Sequence, residues 1–275
     1  MPFSLFGEKK LKMVWEVTKD GRRSFLIGTA HFFPYSFKKS LTQLLNQSRT
    51  ALFEGPLDEA SQAEVVRAGC RGGEAARLLS GLDQAAIARL AAMLAPVDLI
   101  KRTVCCFKSL TGLEEEIVRN AIAGLKSWMA FFSIYSGYLR GQGWKHSVDM
   151  EAYRLAGSLH LEIVFMETIQ EQIEVLDSLS ETQIMDFLRR ADQWPEFTRR
   201  FVKWYLDGEL DELWRNPSGF PTRNPRVIDR RDAVFFERMR SYLERGAAAV
   251  FVGVPHVKGI GNLLEADSFS IKQVI

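Results

Sequence analysis

Apolar positions in the first fifty-odd residues change period twice. Lys12 to Glu16 (KMVWE) alternates weakly, and Ser24 to Gly28 (SFLIG) runs on as an apolar strand. Lys19-Asp20-Gly21 lies between them, turn chemistry in which glycine tolerates positive φ, so a hairpin is expected here. From Ser36 to Ser48 the period lengthens to a helical one, with Phe37, Leu41, Leu44 and Leu45 on one face. Thr50 to Phe53 (TALF) is a short strand ending at Glu54-Gly55-Pro56. Strand, helix, strand in that order predicts a crossover unit with parallel pairing.

Helical patterning then dominates from about Asp58 to Gly143. Leu113, Ile117, Val118, Ala121, Ile122 and Leu125 recur at three-and-four spacing, and Glu114-Glu115-Glu116 would suit a helix first turn. Asp149 to Gly157 stays helical, Leu161 to Phe165 (LEIVF) reads as a strand ending at Met166-Glu167-Thr168, and helices follow from Glu181 to about Trp214. A Pro-containing loop, Asn216 to Pro225, leads to a helix over about Ile228 to Glu244. Ala249 to Gly253 is a strand ending at Gly253-Val254-Pro255-His256, and Phe269 to Val274 is a last strand. The expected fold is α/β: one domain over residues 1–275, its central mixed sheet built from N- and C-terminal strands. A large helical insertion is expected at about 58–145, with further helices at about 181–214.

Composition narrows the function classes. The chain has 275 residues, 36 Lys+Arg against 34 Asp+Glu, 47 % hydrophobic residues and 25 % charged ones, a balance that excludes a disordered chain. No basic excess points to nucleic acid. The three cysteines, Cys70, Cys105 and Cys106, show no CxxC spacing, so neither a disulfide framework nor a zinc knuckle is supported. The most apolar stretch, Ser127 to Leu139, is too short for a membrane span and reads as a buried helix or a partner face, such as a homodimer face. Met1 to Lys10 carries no apolar run behind a basic start. A cytoplasmic protein with reduced thiols is expected.

Candidate chemistry sits at the predicted strand ends. Of four histidines, His146 and His160 flank a helix and are expected to face solvent. The other two repeat one context, an apolar strand followed by Gly-x-x-His, at Gly28–His31 and Gly253–His256. If the strands are parallel, His31, Glu54, Glu167 and His256 converge on one rim, where open α/β sheets bind ligands. Imidazole with carboxylate suits a divalent metal ion that activates water or polarises a carbonyl. The glycines would let the chain turn sharply as it leaves the sheet. Glu167 could equally cap the helix beginning near Ile169. GxSxG, HExxH and Walker A motifs are absent, and Gly259-Ile260-Gly261 lacks the third glycine of a dinucleotide fingerprint, with Leu264 in its place.

These residues resemble the TraB/PrgY/GumN family, which includes the Tiki proteins. The resemblance rests on GTAH (Gly28–His31), Glu54 in LFEGP, GVPH (Gly253–His256) followed by VKGIGNLLE, and an arginine before the second motif in VIDRRDAVFFERM. There the pair Arg231-Asp232 looks like the family's Arg-Asn, with Arg230 as the competing register. VDMEAYRLAG around Asp149 and FMETIQEQIEVLDSL around Glu167 and Gln172 extend it across most of the chain. Two departures are the Phe32-Phe33-Pro34 run after the first motif and the aromatic segment Lys126 to Leu139.

The resemblance implies an α/β sheet with helical insertions and, from the Tiki branch, a divalent-metal-dependent peptidase. His31, His256 and Glu54 would then be ligands to manganese, cobalt or zinc, with Glu54 as ligand or general base. Arg231 would hold a substrate carboxylate or oxyanion, and Glu167 would be a further site carboxylate. The expected activity is metal-dependent hydrolysis of a peptide or amide bond. The alternative is a non-catalytic regulatory protein capturing a peptide or haem-like ligand at the same rim, with the aromatic helix as its working surface.

Overall fold

The computed structural model describes residues 9–70, 72, 75–94, 110–216 and 219–274. Cys105, Cys106, residues 1–8 and the Leu113 side chain lie outside what is described. Val14–Lys19 (β1) and Arg22–Thr29 (β2) form the hairpin, paired from Val14↔Ile27 to Lys19↔Arg22. Asp20 and Gly21 both have positive φ, 50° and 73°, which matches the right-handed twist of a tight hairpin. Thr50–Phe53 (β3), Glu162–Phe165 (β4), Ala248–Gly253 (β5) and Ser270–Gln273 (β6) complete a six-stranded sheet in the order β4-β3-β5-β2-β1-β6. The four strands from β4 to β2 are mutually parallel, and β1 and β6 add antiparallel pairing at one edge. The fold is therefore α/β with a mixed sheet, and its centre joins the two ends of the chain: Gly28 lies opposite Val252, and Thr29 opposite Gly253.

Helices Lys38–Leu45 (α1), Glu59–Gly69 (α2), Ala75–Ser80 (α3), Gln84–Leu94 (α4), Leu110–Ile122 (α5) and Ser127–Gly141 (α6) precede Val148–Ser158 (α7). After β4 come Ile169–Asp177 (α8), Glu181–Arg189 (α9), Trp194–Asp207 (α10) and Leu210–Arg215 (α11). Pro225–Arg245 (α12) and Val254–Ala266 (α13) flank β5. Helix α5 starts at Leu110, so Glu114-Glu115-Glu116 falls in its second turn, not the expected first.

Two buried clusters form. One packs the sheet against α1, α7, α12 and α13; in it the rings of Phe53 and Phe251 stack 5.0 Å apart. The other joins the helices α3 to α6 with α9 and the start of α10, around Phe131, Phe187 and Trp194. The aromatic stretch of α6 lies in this second core, and among the described residues no helix is long and apolar enough to cross a membrane. Phe32 packs on the helical cluster and its neighbour Phe33 is buried in the sheet cluster. The loop after β2 thus bridges the two.

Gly28 departs from the expected reason for a glycine. Its φ is not positive; what matters is space, since a Cβ there would lie 3.1 Å from Val257 and 3.4 Å from Val254 of α13. Gly28→Ala is expected to destabilise by about 1–3 kcal/mol through overpacking. Gly157→Ala in α7, with nothing within 4 Å, should stabilise by about 0.5–1 kcal/mol through helix propensity. Urea denaturation of both variants checks the contrast; equal effects would refute the close-approach argument.

Candidate functional site

Parallel pairing continues one step past the strands. Met166 N–H donates to the Phe53 carbonyl (2.8 Å), and Glu167 N–H to the Glu54 carbonyl (2.7 Å), so the two glutamates emerge side by side. Thr168, not Glu167, caps α8, in a capping box with Glu171. Arg238 of α12 then clamps Glu171 with bonds of 2.9 and 2.7 Å and donates to the Met166 carbonyl. That clamp presents α12, two turns earlier, to the ends of β3 and β4.

The residue presented there is Arg231; Arg230 is exposed. Nε and Nη2 of Arg231 grip Glu167 at 3.1 and 2.6 Å, Nη2 also donates to Glu54 at 2.9 Å, and Nη1 lies 3.1 Å from Nε2 of His256. A guanidinium has only donors, so Nε2 is the acceptor and His256 carries its proton on Nδ1. That Nδ1 donates to Asp232 at 2.6 Å. Phe235, fully buried, places its ring edge-to-face with His256 and under the Arg231 guanidinium, 4.9 Å away.

Backbone geometry adds to this. Glu54 Oε1 accepts the Gly253 N–H at 2.7 Å, and a Cβ on Gly253 would lie 3.3 Å from that oxygen. Val254 and Pro255 open α13, where proline needs no amide partner, so His256 sits in a helical first turn and not in a free turn. Gly259 has a packing role: a Cβ there would strike the Asp232 carboxylate. Gly55 likewise leaves room for the Gln172 side chain.

His31 belongs to a second, matching pair. A bridge between Phe33 and His146, and the Val148 N–H donating to the Ala30 carbonyl, dock the loop after β2 onto the start of α7. Asp149, in the first turn of α7, is buried, and its Oδ2 lies 3.0 Å from Nδ1 of His31. The imidazole is otherwise 68 % exposed. Each Gly-x-x-His motif therefore delivers a histidine whose Nδ1 faces a buried aspartate, Asp149 in one case and Asp232 in the other. His146, expected in solvent, is instead half-buried and bonded to Glu151 at 3.1 Å. His160 is exposed.

The charges set the protonation states. Burial pushes Glu54 up, but the opposing pull of its surroundings, Arg231 foremost, with His31 and the Gly253 N–H, brings the carboxyl down to about 2. Burial dominates at Glu167 and raises it against the opposing pull of Arg231, and Asp232 is raised for the same reason despite its bond to His256. Asp149 pulls His31 up to about 9.

The expected metal ligands are near one another in charge terms but do not assemble as an ion cage. Glu54 acts on His31 electrostatically, yet its two oxygens accept from Gly253 and Arg231, and the only lone pair of His256 Nε2 accepts from Arg231. Among the described residues no group of three or more His, Cys, Asp or Glu side chains could hold a metal ion. As they stand, the residues do not fit one.

A family model described as TraB/PrgY/gumN family matches residues 13–273. The chain belongs to the TraB/PrgY/gumN family. No curated protein and no solved structure matches it. The match spans both Gly-x-x-His motifs and every member of the rim cluster of this TraB/PrgY/gumN protein. Asp149 and Asp232 carry no sequence signal as imidazole partners. Asp149, in the first turn of α7, ordinarily reads as a dipole or capping residue, and Asp232, in the interior of α12, as one more charge on a helix surface.

Because His31 is raised in the folded state, its pair with Asp149 stabilises fully below about pH 6.5 and is lost as pH rises through about 9. Glu54, lowered when folded, stabilises above its ordinary 4.5 and is lost as pH falls through about 2. Thermal unfolding between pH 6 and 10 should show a decline that Asp149→Asn removes, small because the imidazole is exposed. An unchanged alkaline profile in Asp149→Asn would contradict the pairing.

Proposed function

We propose that this chain hydrolyses a peptide or amide bond at the sheet rim. The observation that carries the reading is the Asp232–His256 pair: a buried imidazole, its proton held on Nδ1 by a buried carboxylate at 2.6 Å, with Nε2 beside Arg231. That arrangement fixes the tautomer a general base needs and stabilises the imidazolium that forms. Parallel strand ends supply the location.

His256 takes a proton from water as the water oxygen bonds to the carbonyl carbon. Arg231 holds the oxygen on which negative charge develops. The carbon–nitrogen bond then breaks, and the departing nitrogen takes the proton back from His256. Glu167 and Glu54 keep the guanidinium in place through its Nε and Nη2 edges. No step is routed through a divalent ion, because among the described residues no group of three or more His, Cys, Asp or Glu side chains could hold one.

Screening a peptide library for released amines tests the reading. His256→Ala should lower kcat by about 100-fold or more, the usual worth of a general base, with the circular-dichroism spectrum unchanged. A peptidase activity indifferent to His256→Ala, or a rim that binds peptides and cuts none, would contradict it.

Divalent ions give a separate prediction. Manganese, cobalt and zinc should not raise the melting temperature of the chelator-treated protein through the rim. An ion-dependent rise that His31→Ala and His256→Ala each abolish would show that the two imidazoles share an ion after all.

A further inference from the structure

Exposure sorts the members of the rim. Side chains of Glu167, Asp232, Asp149 and His256 are 4–6 % exposed, Glu54 is 11 %, Arg231 19 % and His31 68 %. An incoming ligand therefore meets Arg231 and His31 before the buried carboxylates.

Of the five guanidinium N–H groups of Arg231, Nε and both on Nη2 go to Glu167 and Glu54, and one on Nη1 goes to His256. The second Nη1 N–H has no partner among the described residues. Its edge is the one left to a ligand, since the paired bonds to Glu167 hold the opposite edge. The same Nη1 occupies the single lone pair through which His256 would act as a base. At rest the centre is closed by its own arginine.

We infer that the substrate carries a carboxylate beside the bond to be cut, as an N-acylamino acid or the last residue of a peptide does, and that this carboxylate draws Nη1 of Arg231 off His256. The exchange replaces a bond to a neutral imidazole by a charge-assisted one to an anion, the stronger kind. It leaves Nε2 of His256 free with its tautomer still fixed by Asp232. A neutral amide offers Arg231 no such gain, so the lock selects an anionic substrate and exposes the base only when one is bound. The inference rests on the hydrolase reading only in naming His256 a base; the exchange itself is a binding event.

The test uses the full-length protein with 15N-labelled histidine, its His256 resonances assigned through a His256→Asn variant. Titration with N-acetylglycine should move the Nε2 resonance towards that of an unbonded, unprotonated nitrogen. N-acetylglycinamide should leave it in place and bind about tenfold more weakly. Arg231→Gln should show the shifted resonance without ligand, with Arg231→Lys as the substitute if loss of charge unfolds the chain. Equal responses to acid and amide, no response to either, or a move towards protonated Nε2 would each overturn the inference. If the exchange occurs and no peptide or N-acylamino acid is cut, the lock stands and the hydrolase reading fails. Cleavage of carboxylate and amide substrates alike would do the reverse.

Discussion

Everything at the rim depends on one guanidinium satisfying three partners at once. Glu54 and Glu167 leave adjacent parallel strands side by side, and two carboxylates taken out of water together repel each other and lose hydration. Arg231 answers both with a planar fork whose edges point in fixed directions, which a lysine could not do. Its remaining edge reaches His256, so the charge that neutralises the glutamates also fixes the state of the imidazole. The Arg238–Glu171 clamp and the ring of Phe235 serve this placement by holding α12 at one height against the sheet.

That geometry is possible only because the chain's ends are neighbours. β2 and β5 pair in parallel at the middle of the sheet, and the close seating of α13 over Gly28 lets both strands end at one level. Glycine is used here for proximity. At Gly253 and Gly259 the missing side chains make room for Glu54 and Asp232, so the glycines of the second motif and its tail shape the charged cluster directly. The helical cluster built on α3 to α6 touches this arrangement through Phe32, next to His31, which links the insertion to the loop carrying the exposed imidazole.

Much of the sheet was legible because its strands are short apolar runs bounded by turn residues, and the Asp20-Gly21 hairpin was legible because its chemistry is local. The Gly-x-x-His repeat located both histidines for a similar reason: strand ends are visible in sequence. Partners are not. Asp149 and Asp232 reach their imidazoles only through the docking of α7 and α12, and that docking depends on burial and on long-range hydrogen bonds such as Val148 to Ala30. His146 escaped for the same reason, since its partner Glu151 and its bridge to Phe33 exist only after the loop folds back. Nor could spacing distinguish an ion from an arginine as the cation among the carboxylates. Arg231 and Arg230 are adjacent in sequence, and only helix phase against the sheet decides which faces inward.

The central claim is that Arg231 and the strand-end glutamates form a single coupled unit. A double-mutant cycle on stability in urea, using Arg231→Gln, Glu167→Gln and the double variant, measures that coupling directly. The account predicts that each single change costs about 3 kcal/mol or more by leaving a buried charge unpaired, with a coupling energy of about 1–3 kcal/mol between them. Additive effects, with coupling below about 0.5 kcal/mol, would mean that the two side chains do not meet and that the rim is not built around this arginine.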